Sequence, residues 1–357
     1  MITIGVDAHK SVHVAVALDD AGHEVSRWRG RNSIAGWIDA QRWAEAIGGV
    51  RQWGIEGAWS YGRGLAQQLV TSRETVYEIN ARWTALGRRS ARKPGKTDRQ
   101  DARAVALFLR QEVETLPRVH ADDDSATLDL LSGEREAAII DATRLRNQIH
   151  ALLMQIDPEY RDRLPRLNSR AGVRAVVDYE SPDERKLQQL RAAAVRRLGA
   201  RLILTLGHVR ELAHQIKELA AASYTPLTQL CGVNLLTAGT LAGILGPGNR
   251  FATDAQLAAY AGAAPLEASS AGLVRHRLSR GGNRRLNAVL YRIAITQAHH
   301  SPEARAYLTR RVSEGKTKRE AIRALKRYLV RAVWRLWQEC AAMPAAAMPA
   351  AEVQVAA

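Results

Sequence analysis

Ile2-Thr-Ile-Gly-Val-Asp7 predicts a short apolar strand that ends in a carboxylate. A second apolar run, Trp53-Gly-Ile-Glu56, ends in the same way. Asp98 and Asp101 lie three residues apart at the start of a predicted helix, so both face one side. Acids at two strand ends and one helix start indicate a divalent metal ion bound beside a phosphate backbone. The plainer interpretation makes each acid a turn residue or a helix N-cap.

Strand-like and helix-like segments alternate over residues 1–118, which predicts an α/β sheet of mixed strand direction. Two early strands, Val12–Leu18 and residues 23–27, are predicted to form a hairpin around the turn Asp19-Asp-Ala-Gly22. The remaining predicted elements are strands over residues 52–58 and 75–80, and helices over residues 34–46, 61–72 and 98–111.

Composition indicates a globular protein with a polyanionic partner. The 357 residues favour two or three domains, and 46% of them are hydrophobic. The net charge is +16, with 44 Arg against 8 Lys. Guanidinium groups grip phosphate oxygens in pairs, so this bias favours nucleic acid over a membrane or an acidic protein, although a GC-rich genome also produces it.

The two cysteines, Cys231 and Cys340, are far apart and form neither a disulfide framework nor a zinc motif. The N-terminus has no signal-like apolar block, and no segment has the apolar length of a membrane span. We therefore expect a cytoplasmic, nucleoid-associated bacterial protein without a membrane partner.

Two long helical stretches, residues 123–156 and 184–220, follow the α/β region, with loop or short helix predicted over 157–183 between them. Apolar residues recur at three- and four-residue spacing in the second stretch, which is typical of a coiled-coil seam. The residues of this seam are Val209, Leu212, Ile216 and Leu219. The seam fits an intramolecular hairpin and a dimerising coiled coil equally well.

The composition changes after about residue 225. Cys231-Gly-Val-Asn-Leu-Leu-Thr-Ala-Gly239 resembles the hairpin of helix–hairpin–helix modules, whose helix N-termini bind phosphate. A helix is predicted over residues 254–262, followed by a loop that carries Ser269-Ser270. Residues 271–335 contain 17 Lys and Arg against 3 Glu, whereas residues 341–357 are of low complexity and predicted to be disordered.

Several motifs together resemble one family. Gly5-Val-Asp7-Ala-His-Lys10, Gly54-Ile-Glu56-Gly and Lys96-Thr-Asp98-Arg-Gln-Asp101-Ala-Arg103 are similar to the three motifs of the RuvC-like domain in the DEDD transposases of bacterial insertion-sequence family one-hundred-and-ten, relatives of the pilin-gene inverting recombinases. Leu257-Ala-Ala-Tyr-Ala-Gly-Ala-Ala-Pro265 and Arg280-Gly-Gly-Asn283-Arg-Arg-Leu286 resemble the C-terminal domain of that family. The resemblance covers nearly the whole chain, in the right order.

The resemblance implies an α/β plus α architecture: a RuvC-like (RNase H-like) mixed-sheet domain over 1–118, a helical coiled-coil connector over 119–224, and a mainly helical transposase domain over 225–340. It also implies serine recombination, in which Ser270 attacks the DNA and holds the end as a phosphoserine. Family members have Gly after this serine, but Ala271 stands here, followed by Gly272, so Ser269 is the second choice.

The resemblance further implies cofactors and partners. Mg²⁺, with Mn²⁺ as an alternative, would be held by Asp7, Glu56, Asp98 and Asp101. The partners would be double-stranded donor and target DNA and a structured noncoding guide (bridge) RNA that pairs with both. Strand exchange needs several cleavages held together, so we expect a homodimer that assembles to a tetramer, with active sites that combine protomers.

Basic residues and one asparagine near the predicted site are expected to bind phosphate, although charge runs are often only solvated. They are Arg88, Arg89, Arg92, Lys93, Arg275, Arg277, Arg280, Asn283, Arg284 and Arg285. For His9 and Lys10 the sequence favours a surface turn over a phosphate contact, and for His299-His300 a helix end. Two rival functions remain: a RuvC-type endonuclease or junction resolvase that uses water, and an inactive nucleic-acid binder.

Overall fold

The computed structural model describes most of the chain, which forms two compact units. The described residues are 1–80, 97–248, 250–264, 266–267, 276–277 and 282–342, without the side chains of 266–267, 276–277 and 342. The first unit comprises the described residues of 1–123, 229–232 and 245–345, and the second those of 124–228 and 233–244.

Five strands form one mixed sheet in the first unit, in the spatial order β3-β2-β1-β4-β5. Their bounds are β1 Ile2–Ala8, β2 Val12–Leu18, β3 Glu24–Arg31, β4 Arg51–Glu56 and β5 Thr75–Ile79. Strands β1 to β3 are antiparallel neighbours, whereas β1, β4 and β5 run parallel. The predicted mixed sheet is therefore confirmed. Strand β4 ends two residues before its predicted end because Gly57, with a φ of 72°, turns the chain there.

Helices cover both faces of this sheet. Helices α1 (Ile34–Ile47) and α2 (Arg63–Thr71) pack on one face, and α3 (Asp98–Glu112) packs on the other. Successive side chains of a strand point to opposite faces. Strand β1 accordingly gives its even-numbered apolar residues to the first layer and its odd-numbered residues, which include Asp7, to the face of α3.

The second unit is built on an antiparallel pair of long helices, α4 (Asp124–Ile156) and α7 (Lys186–Ser223). Leu128 packs against Ile216 near one end of the pair, and the Gln188 side chain donates to the Gln155 carbonyl near the other. The predicted seam therefore forms contacts within the chain, with Leu212 and Ile216 buried. Its use between protomers stays a prediction. The remaining helices of this unit are α5 Tyr160–Arg163, α6 Arg170–Val177 and α8 Leu235–Leu245.

The C-terminal part of the first unit is helical. It contains α9 Asp254–Tyr260, α10 Arg284–His300, α11 Pro302–Ser313 and α12 Lys318–Ala342, and a two-stranded pair of β6 Leu266–Glu267 with β7 His276–Arg277. Phe251 and Trp337 are fully buried and pack against each other. Helix α10 ends at His300, so the predicted position of the histidine pair at a helix end is confirmed. Among the described residues, no helix has the length and apolar character to cross a membrane.

Candidate metal centre and the base of the serine segment

Two of the predicted acids lie side by side at one edge of the sheet. Asp7 and Glu56 are cross-strand partners in the parallel pair of β1 and β4. Side chains of cross-strand partners lie on the same face of a sheet, so both carboxylates face helix α3. Asp7 is buried and Glu56 is half-buried.

Helix α3 contributes the other two acids from its first turn. The Thr97 hydroxyl caps the helix by accepting a hydrogen bond from the amide of Gln100, so the helix begins at Asp98. Asp101 is only 4% exposed, whereas the side chain of Asp98 is 53% exposed. The helix therefore directs one acid toward the sheet and leaves the other open to solvent.

Glycines on the two strands allow this helix to approach closely. Gly5 and Gly54 are cross-strand partners, two residues before Asp7 and Glu56. A Cβ atom on Gly5 would stand under 3.0 Å from backbone atoms of Ala102 and Ala106 in α3. The first turn of the helix can therefore lie beside the strand ends only because β1 has no side chain at this point.

His9 joins this group. Its Nε2 lies 3.1 Å from Oδ2 of Asp7 and 3.6 Å from Oδ1 of Asp98. One ligand atom from each of these three residues fits within 4.8 Å of the others. The sequence favours a surface turn for His9, and its position two residues after Asp7 was the one signal that pointed to this site.

Burial and like charge disturb the ionisation of Asp7. Burial is the largest cause, and with the nearby carboxylates of Glu56, Asp101 and Asp98 it raises the pKa of Asp7 to about 6, against the opposing effect of His9. An oxygen-rich cluster in which one carboxylate resists ionisation is a suitable environment for a divalent cation, because the cation offsets the repulsion.

The segment predicted to carry the nucleophile has both of its ends fixed at one place. Asn283 donates from its backbone amide to the Tyr260 carbonyl at 2.6 Å and from its side chain to the Tyr260 hydroxyl at 2.9 Å. A Cβ on Gly282 would overlap the backbone of Gly262. The residues that flank positions 263–281, the segment that contains Ser269 and Ser270, therefore lie side by side. We call Tyr260, Gly262, Gly282 and Asn283 the base of the serine segment.

A buried arginine, which no motif in the sequence indicates, connects the base of the serine segment to the sheet. Arg250 is 6% exposed and donates to Oε2 of Glu78 at 2.8 Å and to the Tyr260 hydroxyl at 3.3 Å. Its guanidinium lies over the rings of Trp59 and Phe251. Glu78 is next to Ile79, the cross-strand partner of Glu56. Burial opposes the charged form, but Tyr260 and Glu78 prevail and raise the pKa of Arg250.

The predicted nucleic-acid residues are only partly described. Asn283 caps helix α10, with Oδ1 accepting from the amide of Leu286 at 3.0 Å, so both polar atoms of its side chain have partners within the fold. Arg284, in the first turn of the same helix, is exposed, and Arg285 is half-buried. Ser269, Ser270, Arg88, Arg89, Arg92, Lys93, Arg275, Arg280 and the side chain of Arg277 lie outside the described residues.

Two transposase family models match this chain, one in each half. A transposase family model named for the DEDD transposases of IS110 matches residues 4–158, and one described as "Transposase IS116/IS110/IS902 family" matches residues 224–309. The first match contains the four acids, and the second contains Arg250 and the base of the serine segment.

Three relatives are named as proteins of insertion elements. The 43.6 kDa protein of IS110 from Streptomyces coelicolor is 30% identical over 287 residues, which cover 68% of this chain and 71% of the relative. The 44.8 kDa protein of IS116 from Streptomyces clavuligerus and the 42 kDa protein of IS900 from Mycobacterium paratuberculosis are each 25% identical, over 95% and 94% of this chain and 95% of each relative. From these matches at both ends and along its length, the chain belongs to the IS110 family of transposases, enzymes of DNA transposition.

Proposed function

We propose that this transposase cleaves and rejoins DNA through a covalent phosphoserine on Ser270, and that a guide RNA selects the sites. In this proposal the sheet with α3 is a RuvC-like domain whose acids hold Mg²⁺. The observation that carries it is the pairing of Asp7 with Glu56 in one register, beneath a helix that starts at Asp98.

The acid cluster supports the metal part of the proposal. Asp7, Glu56, Asp98 and Asp101 offer carboxylate oxygens, the ligands that Mg²⁺ prefers, and Asp98 is open to solvent for a phosphate to approach. When bound, Mg²⁺ would neutralise phosphate charge and polarise the scissile phosphodiester. The hydrogen bond between His9 and Asp7 would orient the Asp7 carboxylate, and Asp98 lies close to the same imidazole.

The serine step conserves the phosphodiester bond energy. The Ser270 oxygen forms a bond to phosphorus while the bond from phosphorus to a deoxyribose oxygen breaks. The serine loses its proton, and the released sugar oxygen gains one. Attack by a sugar hydroxyl on the phosphoserine reverses these changes, so strands can be rejoined without ATP.

The base of the serine segment supports the pairing of serine with acids. Tyr260 and Asn283 hold the two ends of this segment together, and Arg250 connects Tyr260 to Glu78 on β5. Strand β5 is hydrogen-bonded to β4, which ends in Glu56. One continuous chain of contacts thus leads from the segment that contains Ser270 to the strand that carries an acid.

Trapping of the covalent DNA end on a denaturing gel tests the mechanism. We expect an adduct with Mg²⁺ and the unaltered protein, none with Ser270→Ala or Asp7→Asn, and an adduct with the matched control Ser269→Ala. The reverse result for the two serines would move the nucleophile to Ser269. Cleavage by Ser270→Ala without any adduct would favour a water-using nuclease, and DNA processing unaltered by both Asp7→Asn and omission of Mg²⁺ would favour a binding protein.

RNA guidance rests on family membership and on the net charge of +16. The test is to purify the protein from cells that carry the whole element and to sequence the RNA that stays bound. We expect a structured noncoding transcript from the DNA flanking the gene, with loops that match the insertion junctions. Correct insertion by protein freed of RNA would contradict this part of the proposal.

We also propose that the long helices α4 and α7 pair between protomers, as part of a dimer that assembles to a tetramer on DNA. Large apolar side chains remain exposed on these two helices, although both already pack on each other. They are Leu130, Ile139, Ile140, Met154, Leu187, Leu190, Ile203 and Leu204. The predicted division into domains at residues 118, 224 and 340 belongs to the same proposal.

A further inference from the structure

Strand β3 carries three arginines on alternate residues. Arg27, Arg29 and Arg31 are exposed, whereas Trp28 between them is buried and donates to Asp39 on the opposite side of the strand. Because side chains alternate along a strand, the three guanidinium groups leave one face of the sheet, ~6.7 Å apart along the chain. β3 is also an edge strand, so nothing in the sheet lies beyond this row.

The register places this row on the face of the acids. Arg29 pairs with Val14 of β2, Val14 pairs with Asp7, and Asp7 pairs with Glu56. These four residues therefore form one line across the sheet, on the face that α3 covers. With strands spaced ~4.8 Å apart, the backbone of Arg29 stands roughly 10 Å from that of Asp7.

An open cleft lies between two members of the row, Arg27 and Arg29, and the start of α3. Its volume is about 420 Å³, and its lining includes Val14, Arg27, Arg29, Asp98 and Arg99. Val14 is buried in contact with α3 and forms the apolar floor. The cleft thus connects the solvent-exposed acid of the proposed metal site to the positive charges of the edge strand.

In the part of the chain that the structure describes, the charges of the row have no polar partner. Among the described residues, the side chains of Arg27, Arg29 and Arg31 form no hydrogen bond or ion pair, whereas the neighbouring Arg99 binds Glu24 with two nitrogens. A charged edge strand also discourages pairing with another sheet. Protection of the edge requires charged side chains, but these could lie on either face of the sheet, whereas all three arginines lie on the face that carries the acids.

We propose that Arg27, Arg29 and Arg31 bind the phosphate backbone of the DNA strand that the acid site processes. This inference rests on the proposed function of the acids. A row of cations on an extended strand can run beside successive phosphates, and its line through Val14 to Asp7 leads the backbone toward the metal ligands. The row reads no base, so it contributes affinity and register at any sequence.

Salt-dependent DNA binding tests the proposal. Binding of a labelled DNA duplex is measured with the full chain in an Asp7→Asn background without divalent metal, so that no chemistry contributes. The logarithm of the binding constant falls linearly with the logarithm of the salt concentration, and each phosphate contact makes this slope steeper by about 0.9. The triple variant Arg27→Gln/Arg29→Gln/Arg31→Gln should therefore have a slope that is shallower by roughly 2.7. Lysines at the same three positions should restore most of the slope, since they keep the charge.

Arg42→Gln is the matched control for Arg29→Gln, because Arg42 is an exposed arginine on α1, which covers the other face of the sheet. We expect the single Arg29 variant to lower the slope by about one and the Arg42 variant to leave it unchanged. Equal slopes for the unaltered and triple-Gln proteins would overturn the proposal, as would a loss of binding to a structured RNA probe with DNA binding retained. If the triple-Gln protein aggregated more and kept an unchanged slope, the arginines would serve only to prevent pairing of the edge strand with another sheet.

Adduct trapping separates this inference from the function on which it rests. A normal adduct with an unchanged slope in the triple variant would refute the arginine row alone. The opposite outcome is a shallower slope in the triple variant together with no adduct from the unaltered protein, whose acids and serines are intact. That outcome would refute the serine mechanism and leave the DNA contact in place.

Discussion

Gly5 lies beneath helix α3, where the backbones of strand and helix touch. Replacing it by Ala puts a methyl group under 3.0 Å from backbone atoms of Ala102 and Ala106, which no side-chain rotation can relieve. We expect Gly5→Ala to lower the free energy of unfolding by about 1–3 kcal/mol. Chemical denaturation measures this change. Because α3 carries Asp98 and Asp101, its displacement should also reduce the stabilisation of the protein by bound Mg²⁺.

Gly207 provides the opposite case for comparison. It lies inside helix α7, and a Cβ there meets nothing within 4 Å. Gly207→Ala should therefore stabilise its unit by about 0.5–1 kcal/mol, because alanine loses less conformational freedom in a helix. If both variants changed the free energy of unfolding in the same direction, atomic overlap at Gly5 would not explain the effect of Gly5→Ala.

Asp7 makes the metal-free protein sensitive to pH. Its pKa is raised from 3.8 to about 6, so between these values the folded state holds a proton that the unfolded chain has lost. Stability therefore falls as the pH rises through this window, and above it the ionised acid costs up to about 3 kcal/mol. Asp7→Asn should be more stable than the unaltered protein at neutral pH without metal, and equally stable near pH 3.

Thermal unfolding across this pH range checks the prediction. Mg²⁺ should raise the melting temperature of the unaltered protein and leave that of Asp7→Asn nearly unchanged. Asp98→Asn is the control for removal of a charge, because the Asp98 side chain is already exposed. If Asp7→Asn melted at a lower temperature than the unaltered protein at every pH, ionisation of Asp7 would not destabilise the fold, and the prediction would be wrong.

At the scale of elements, Arg250 connects strand β5, through Glu78, to Tyr260 at the end of helix α9, just before the serine segment. Removing Glu78 takes a counterion from the buried charge of Arg250, which is strongly destabilising, and removing Arg250 takes one from the half-buried carboxylate of Glu78. We expect a double-mutant cycle of Arg250→Met and Glu78→Gln to give a coupling energy of about 1–3 kcal/mol. Denaturation of the two single variants and the double variant measures it.

Asp254 and Arg327 form the matched ion pair for this experiment. Their side chains are 30% and 25% exposed, against 21% and 5% for Glu78 and Arg250. Solvent screens the more exposed pair, so its coupling should stay below about 1 kcal/mol. Equal coupling energies in the two cycles would mean that burial does not strengthen the Arg250–Glu78 ion pair.

The local elements were predictable, and the contacts between them were not. Short apolar runs predicted β1 and β2 nearly to the residue, and the helix predicted over residues 98–111 matches α3. The Arg250–Glu78 pair joins residues 172 positions apart, so no local pattern indicates it. His9 was visible beside Asp7, but its contact with Asp98 depends on the packing of α3 over Gly5.

At the scale of the whole molecule, the hairpin of α4 and α7 has apolar surface that the described residues leave exposed. Leu128 faces Ile216, and Gln155 faces Gln188, so antiparallel pairing puts Ile140 at the level of Leu204. These two side chains are 61% and 66% exposed. Exposed apolar patches on soluble proteins mark interaction surfaces, which is consistent with the proposed pairing of protomers.

Charges introduced at this level should separate the protomers without unfolding them. Ile140→Glu/Leu204→Glu places two carboxylates on the exposed side of the hairpin, so the buried contacts of Ile149 and Val195 remain intact. We expect light scattering to give the mass of one chain for this variant and of two for the unaltered protein, with the same helical circular dichroism. Gln111→Glu, at an exposed position on α3, controls for added charge and should remain dimeric. A dimeric double variant would locate the interface elsewhere, and a monomeric unaltered protein would remove this pairing from the mechanism.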